Sequence, residues 1–325
     1  MKIPEFPDLR PLTNDDHEML VELLAAATPA ICDLSPANLF IWRDCERPSL
    51  TLVGDSLCIL VEPHLQPAFF LEPVGGSWPV DAVRTCLTRA DRISRSSKAL
   101  VDTLSTQEFD VRPLRDHFDY IYRLQALAEL KGKKFDGKRN QIRKFTANFP
   151  DYDFRPLERP QFDNAMALFR KWGERRGGDA APADSPSFSY ECQHHALERA
   201  FHDYERLDLV GGAISVRGEL QGFIIASTAR AETAVVHFQY ANADLSGIYQ
   251  VLLRDACRNL FAGCTYANLE EDLGLAGLRR TKLSYLPLRL EEKYEIRARV
   301  PGLQNAVFGP KQSPEAHLQN DSPAR

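Results

Sequence analysis

The sequence lacks the short motifs that mark several large enzyme classes. It has no GxGxxG dinucleotide fingerprint, no P-loop, no GxSxG elbow and no HExxH zinc motif. It also lacks a run of roughly 20 apolar residues that would span a membrane, and its first residues lack the apolar core of a signal peptide. These absences argue against the enzyme classes that carry the motifs, and we expect a soluble, cytoplasmic protein.

The cysteines give no sign of a disulfide framework or a metal knuckle. There are seven, an odd number, and no two are separated by two residues. Most have apolar neighbours in the sequence. This usage predicts buried thiols in a reducing compartment.

Positive charge is scarce overall but concentrated in one place. The formal net charge is -5, yet the segment "LKGKKFDGKRNQIRKF" at 130–145 contains only one acid. If it is helical after Gly137, Ile142 and Phe145 would dock on the core and the cations would project as a ridge. The segment predicts phosphate binding, with a solvated basic face as the alternative. The residues proposed for this role are Lys134, Lys138, Arg139, Asn140 and Arg143.

The order of predicted elements repeats along the chain. A length of 325 residues with 44% hydrophobic side chains allows two ordinary cores. Each half shows helix, strand hairpin, strand, helix and two further strands; in the first half these last strands are predicted at 99–105 and 118–124. We therefore expect a first domain over 1–124, a second over 125–307 that contains the basic segment, and a flexible tail over 308–325.

Several stretches resemble a known family. They are "ANLFIWRD", "FFLEPVG", "LKGKKFDGKRNQIRKF", "HFQYANADLSGIYQ" and "NLEEDLGLAGLRRTKLSYLPLRLEEKY". Over residues 10–297 the chain resembles uncharacterised bacterial proteins related to the C-terminal domain of lysylphosphatidylglycerol synthases, and shares the two-lobed arrangement of the Fem aminoacyltransferases. The resemblance implies an α+β fold of two tandem lobes like the Gcn5-related N-acetyltransferases (GNAT), each a mixed, mostly antiparallel sheet flanked by helices.

The resemblance also implies an activity. The protein would be an acyltransferase that moves an aminoacyl group from aminoacyl-tRNA to an amine or hydroxyl by direct attack on the ester. It would need no cofactor, and its partners would be tRNA and an unknown small-molecule or peptide acceptor. An acyl-coenzyme A-dependent N-acyltransferase and a non-catalytic anion- or RNA-binding module are the alternatives. The loop "ANADLSG" contains only Gly247 where coenzyme A would need a glycine-rich cradle, which favours the tRNA donor.

Candidate catalytic residues follow from the same comparison. In a GNAT-like fold the strand "HFQYAN" lies beside the gap that holds the reacting carbonyl, so His237 is a candidate base or hydrogen-bond donor to that carbonyl. Glu270, Glu271 and Asp272 would lie at the mouth of the gap, where they would hold the donor's ammonium group or accept the acceptor's proton, and Glu271 and Asp272 are assigned as catalytic. A packed histidine and a helix-capping Asp272 are the structural alternatives. Gln239, Asn242 and Tyr249 are assigned to substrate positioning, and Arg279 and Lys282 to a second phosphate clamp.

One metal-like spacing is present. His194, Glu198 and His202 recur every four residues and would share one face of a helix. Surface helices often carry such triplets, and the sequence offers no fourth ligand. We predict no metal site.

Overall fold

The computed structural model describes residues 2–64, 66–175, 189–230, 232–261 and 263–299. The predicted flexible tail lies outside these residues. In the described part, the chain folds into two seven-stranded sheets flanked by helices, which confirms the predicted α+β class. No helix there is long and apolar enough to cross a bilayer.

The strands of this part are numbered in chain order. They are β1 (Arg10–Pro11), β2 (Ser49–Val53), β3 (Ser56–Val61), β4 (Phe69–Phe70), β5 (Ile93–Ser97), β6 (Phe109–Pro113), β7 (Asp119–Arg123), β8 (Asp153–Pro156), β9 (Leu209–Val216), β10 (Glu219–Arg230), β11 (Thr233–Ala241), β12 (Tyr266–Asn268), β13 (Arg289–Glu291) and β14 (Lys293–Ala298).

The helices are numbered in the same way. They are α1 (His17–Ala27), α2 (Pro36–Ile41), α3 (Arg43–Glu46), α4 (Pro79–Cys86), α5 (Lys98–Val101), α6 (Leu124–Glu129), α7 (Asp136–Asn148), α8 (Phe162–Arg175), α9 (Tyr190–His202), α10 (Ile248–Asn259) and α11 (Ala276–Leu283).

The two sheets share one architecture. Their orders are β1-β2-β3-β4-β5-β14-β6 and β8-β9-β10-β11-β12-β7-β13. Each contains a single parallel pair, β4 with β5 and β11 with β12, and the other neighbours are antiparallel. In each parallel pair a helix, α4 or α10, connects the two strands, as parallel strands require.

Each half of the chain contributes one strand to the sheet of the other half. β14 lies between β5 and β6 in the first sheet, and β7 lies between β12 and β13 in the second. The predicted division at residue 124 therefore does not separate the sheets. It places β7 in the first domain, although this strand pairs in the second sheet, and β14 in the second domain, although this strand pairs in the first.

Local chemistry accounts for the connections. The hairpin predicted at Gly54 is present between β2 and β3, and the glycine has a positive φ of 61° that suits a two-residue turn. The strand predicted at 99–105 is wrong. The Ser97 hydroxyl accepts a hydrogen bond from the Leu100 amide, and this cap starts the short helix α5 instead.

The largest apolar cluster joins the two halves. It contains Phe40 and Phe69 from the first half together with Phe169, Phe223 and Phe238 from the second. Two further clusters cover the opposite faces of the sheets, one beneath α4 and one beneath α6, α7 and α10. The lobes therefore share a core, and a site between them has walls from both.

Candidate active site

A cavity of about 810 Å³ lies where β11 separates from β12. The two parallel strands pair only from Thr233 to Val235 on β11, opposite Tyr266 to Asn268 on β12. The next five residues of β11, 236–240, line the cavity instead. Residues 236–240 of β11 therefore lie beyond the pairing with β12 and face the cavity.

The cavity has two dissimilar walls. One is built by α10, α11 and the turn after α11, with Tyr249, Lys282 and Tyr285. The other comes from the first lobe and from α8 and α9, and includes the residues Asn38, Trp42, Glu46, Trp172 and Gln193. The gap in the second sheet connects these walls, so two substrates can approach one point from opposite faces of the sheet.

His237 is held by both nitrogens of its ring. A bulge in β11 opposite Ala226 lies at this residue, and bulges redirect side chains. The Ser227 hydroxyl lies 2.9 Å from Nε2, and Glu270 Oε1 lies 2.9 Å from Nδ1. With both nitrogens engaged, His237 orients Glu270 and is not itself positioned to take a proton from a substrate.

Glu270 is the carboxylate that faces the gap. It has a positive φ of 55°, which is uncommon for a residue with a side chain and recurs at functional sites. Its Oε1 accepts hydrogen bonds from Asn38, at 3.2 Å, and shares the contact with His237. Among the described residues its Oε2 has no hydrogen-bond partner, so this oxygen is open to a ligand.

Glu271 also lines the cavity but is engaged in ion pairs. Its Oε2 lies 3.3 Å from Lys293 Nζ, and its Oε1 lies 3.6 Å from His117 Nδ1. Burial raises the pKa of Glu271, but Lys293, His117 and Arg95 outweigh burial and lower it below its ordinary value. Glu271 is therefore a charged residue of the cavity wall, and its carboxylate is engaged with neighbouring side chains.

Lys293 is fully buried at the junction of the lobes. Its ammonium group lies 2.5 Å from Asp33 Oδ2 and 2.8 Å from Asp119 Oδ1, besides its contact with Glu271. Burial lowers the pKa of Lys293, but the surrounding carboxylates raise it well above the ordinary value. The ammonium stays charged, as a buried cation among carboxylates must.

Asp272 does not reach the cavity. Its carboxylate is buried and accepts hydrogen bonds from Tyr120 at 2.5 Å, Arg115 at 3.1 Å and Arg279 at 2.7 Å. It also accepts from the Gly274 amide at 2.9 Å, which fixes the loop before α11. The geometry gives its predicted catalytic role no support, because the positive φ of Glu270 turns successive side chains in different directions.

The predicted clamp on α11 is engaged within the protein. Arg279 bonds Asp272 and Asp116, and Lys282 donates to the backbone carbonyls of Leu269, at 2.5 Å, Glu270 and Glu271. The two cations therefore brace the loop between β12 and α11 instead of facing a phosphate. Lys282 does line the cavity, but its ammonium points to that loop.

The basic segment does not line the cavity. Lys134, Asn140 and Arg143 are exposed on α7 and the turn before it, whereas Arg139 bonds the carbonyls of Leu130 and Gly132 and the side chain of Asp136. Lys138 is the link to the site, since its ammonium lies 4.1 Å from the ring centre of Tyr285 on the cavity wall. The segment therefore contacts the α11 wall of the cavity through Lys138.

The three predicted positioning residues are only partly together. Gln239 and Tyr249 line the cavity and are joined by a hydrogen bond of 3.0 Å from Gln239 Nε2 to the Tyr249 carbonyl. The Tyr249 hydroxyl bonds both the amide and the carbonyl of Ala241. Asn242 lies outside the cavity, where it bonds Gln221 and Arg175.

The start of α10 is covered by α7. Gly247 caps the helix with a positive φ of 95°, and a Cβ there would lie 2.4 Å from the Gln141 carbonyl oxygen. Glycine is required by this close approach.

The histidine triplet lies on α9, as its spacing predicts, but its three side chains do not form one cluster. His194 Nδ1 lies 3.4 Å from Glu198, but His202 bonds Asp203 instead. In the described part of the chain, the clusters with metal-ligand spacing are His194, His195 and Glu198, and Cys32, Asp33 and Asp119. The second cluster surrounds the Lys293 ammonium and is already compensated by it.

Sequence reasoning missed several cavity residues. The position of Glu270 directly after a strand places it with Glu271 and Asp272 at the gap, but the sequence does not indicate which of the three carboxylates faces it. Asn38, Trp42 and Glu46 recur every four residues, a helical spacing that places them on one face. Nothing in the pattern around Lys293 indicates that it would be buried.

The profile of the family described as phosphatidylglycerol lysyltransferase, C-terminal, matches residues 25–297. The chain belongs to this family. Family membership and the fold indicate an acyltransferase of the aminoacyltransferase type, with two tandem GNAT-like lobes, as the sequence predicts. No curated protein sequence matches the chain significantly.

Solved structures agree with the family assignment. A protein of unknown function from Bacteroides thetaiotaomicron is 27% identical, with a TM-score of 0.81, over 90% of this chain and 99% of that one. The C-terminal domain of a protein named as a lysylphosphatidylglycerol synthetase, from Agrobacterium fabrum, is 15% identical, with a TM-score of 0.61, over 87% and 91%. FemX is 9% identical, with a TM-score of 0.57, over 90% and 97%. The last two likenesses show the fold.

Replacing Asp272 by Asn should destabilise this protein without altering the cavity. The free energy of unfolding should fall by about 2 kcal/mol at neutral pH, because the buried hydrogen-bond network loses the charged carboxylate that accepts its bonds. Burial raises the pKa of Asp272, but Arg279, Tyr120 and the Gly274 amide outweigh it and lower the value. Because the pKa of Asp272 is lower in the folded protein than in the unfolded chain, where it is about 3.9, the ionised carboxylate stabilises the fold above that pH. The difference in free energy of unfolding between wild type and D272N should therefore shrink as the pH falls below about 3.9.

Urea unfolding across pH measures this difference. Asp116→Asn is the matched control, because Asp116 is exposed and contacts the same arginine, and it should change stability by no more than about 0.5 kcal/mol. Equal stabilities of wild type and D272N at neutral pH would contradict the structural role.

Proposed function

We propose that the protein transfers an aminoacyl group from aminoacyl-tRNA to an amine or hydroxyl by direct attack on the ester. The observation that carries this proposal is the open Oε2 of Glu270 in the gap between β11 and β12. The gap joins two walls, one bordered by the basic segment and one built by both lobes. A donor and an acceptor that enter from the two sides meet at this carboxylate.

Glu270 is suited to accept the acceptor's proton. Its Oε1 is fixed by Asn38 and His237, so Oε2 has a defined direction. In the step we propose, the acceptor's nitrogen or oxygen bonds to the acyl carbon and the ester C–O bond breaks. The acceptor's proton passes to Glu270, and Glu270 then gives that proton to the ribose oxygen of the donor as it leaves.

The ester is already activated, so positioning supplies much of the rate. Holding two reactants in a near-attack geometry lowers the barrier by converting a bimolecular step into a unimolecular one. His237 and Ser227 contribute by orienting the base, and Lys282 contributes by holding the three carbonyls of the loop that carries it. None of these side chains forms a covalent intermediate in this scheme.

The structure favours a tRNA donor over coenzyme A. The Tyr249 hydroxyl occupies the amide and carbonyl of Ala241 on β11, which a pantetheine arm would otherwise use. The Gln141 carbonyl covers the start of α10. Lys138 of the basic segment contacts Tyr285 on the cavity wall, and the segment's exposed cations Lys134, Arg143 and Lys144 are available to an RNA backbone.

Replacing Glu270 by Gln should reduce kcat for aminoacyl transfer by about 10²–10⁴-fold, because the variant has no proton acceptor at the gap. His237→Gln should have a smaller effect, since it disturbs only the orientation of Glu270. Transfer from charged tRNA to candidate acceptors, followed with a radiolabelled amino acid, measures both.

Glu205→Gln, on the surface and paired with Arg159, is the control and should be fully active. Activity of Glu270→Gln equal to that of this control would refute the role of Glu270. Absence of transfer by the wild-type protein with every charged tRNA would favour the non-catalytic binding module.

The triple variant Lys134→Ala, Arg143→Ala and Lys144→Ala should bind charged tRNA less tightly and with a weaker dependence on salt. Each lost phosphate contact lowers the slope of log K against log salt by about 0.7 to 0.9. Filter binding over a salt series measures the slope.

The matched control removes the same charge from the first lobe, with Arg84→Ala, Lys98→Ala and Arg112→Ala, all exposed side chains. It should leave the slope unchanged. If the two triple variants behave alike, the basic segment is a solvated face and tRNA does not bind there.

A further inference from the structure

The face of α2 and α3 presents a row of side chains to the cavity that the transfer scheme leaves unassigned. Asn38, Trp42 and Glu46 follow one another at intervals of four, and the backbone bonds of a helical turn join each to the next. All three line the cavity. The row spans about 12 Å at a rise of 1.5 Å per residue, from the carboxylate of Glu270 towards that of Asp33.

The start of this row is fixed by its sequence. Ser35 caps α2 and accepts a hydrogen bond from the Asn38 amide at 3.2 Å, and Pro36 occupies the first helical position. Asn38 Nδ2 donates to the Cys32 carbonyl and to Glu270, which leaves its buried Oδ1 without a hydrogen-bond partner. An unpartnered buried acceptor is costly unless a ligand donates to it.

The charge around this wall is negative. Five carboxylates surround it against three cations, and with neutral histidines this leaves an excess of two negative charges. The carboxylates are those of Asp33, Glu46, Asp119, Glu270 and Glu271, and the cations are Arg95, Lys282 and Lys293.

Two carboxylate oxygens remain open at the two ends of the row. Glu46 uses Oε1 to pair with Arg95 at 2.7 Å, and within the described chain its Oε2 has no hydrogen-bond partner. The other open oxygen is Oε2 of Glu270. Between them lies the indole of Trp42, whose ring centre is 6.0 Å from that of Phe238. Aromatic faces next to carboxylates bind alkylammonium groups, with the methylene chain on the ring.

We propose that the acceptor is a di- or polyamine. The inference rests on the proposed function and names its acceptor class. One ammonium group binds Glu46 beside Trp42, and a second ammonium group lies at Glu270, where it loses a proton to Oε2 and becomes a neutral amine. That nitrogen bonds to the acyl carbon, the ester C–O bond breaks, and the donor's ribose oxygen takes the remaining proton, which leaves an amide.

The charge of the wall disfavours an anionic acceptor. A phosphodiester headgroup such as that of phosphatidylglycerol, the lipid in the family's description, would bring negative charge towards the carboxylates. An amine with a single cationic group would fill only one end of the row. The spacing of the two open oxygens is therefore the feature that selects a second cation.

Isothermal titration of the full chain with spermidine, butylamine and glycerophosphoglycerol tests this inference without any donor. Spermidine should bind at least about tenfold more tightly than butylamine, and glycerophosphoglycerol should not bind. Glu46→Gln should weaken spermidine binding by about tenfold, to about the affinity of the wild type for butylamine, because only the Glu270 end then holds an ammonium group. Glu22→Gln, an exposed acid on α1, is the control for non-specific attraction and should bind spermidine as the wild type does.

The inference is overturned if glycerophosphoglycerol binds and spermidine does not, or if Glu46→Gln binds spermidine as the control does. Either result concerns the acceptor alone, because the titration contains no ester. The transfer reaction itself is judged by the Glu270→Gln assay, so the two failures are distinguishable.

Discussion

The ammonium group of Lys293 is the contact on which the cavity depends. It is fully buried and lies among Asp33 of the first lobe, Asp119 at the start of β7 and Glu271 on the loop after β12. Lys293 and Asp119 are the first residues of the two exchanged strands, so this ion pair lies where the chain crosses between the sheets in both directions. A buried cation without these partners would be too costly to retain, and the carboxylates without it would repel one another.

The site follows from this crossing. β7 takes its place beside β12 in the second sheet, and β12 leaves β11 after three paired residues, which opens the gap. The first lobe contributes Asn38 and the second contributes His237, and both contact Oε1 of Glu270. Residues of both lobes therefore fix the direction of this carboxylate, and such fixed geometry is what the proposed transfer between two bound substrates requires.

Much of the fold was predictable from the sequence, and less of the site. Hairpins, amphipathic helices and the repeated order of elements depend on local chemistry, such as the turn at Gly54, and these were confirmed. The exchange of β7 and β14 is decided by long-range pairing, which no local pattern records. Arg139 is a different case, because its guanidinium bonds nearby carbonyls, a choice of partner that the charge pattern does not reveal. Among the acids after β12, the partners of Asp272 include the distant residues Arg115 and Tyr120, which hold its carboxylate away from the cavity.

The most direct measurement is the free energy of unfolding of Lys293→Met, compared with Lys98→Met, in which an exposed ion pair with Asp102 is lost. The account predicts a loss of about 3–5 kcal/mol for Lys293→Met, partly recovered when Asp119→Asn is added, because the uncompensated charge is then smaller. For Lys98→Met it predicts a change within about 0.5 kcal/mol. If Lys293→Met is as stable as Lys98→Met, the buried ammonium does not hold the lobes together and the account is contradicted.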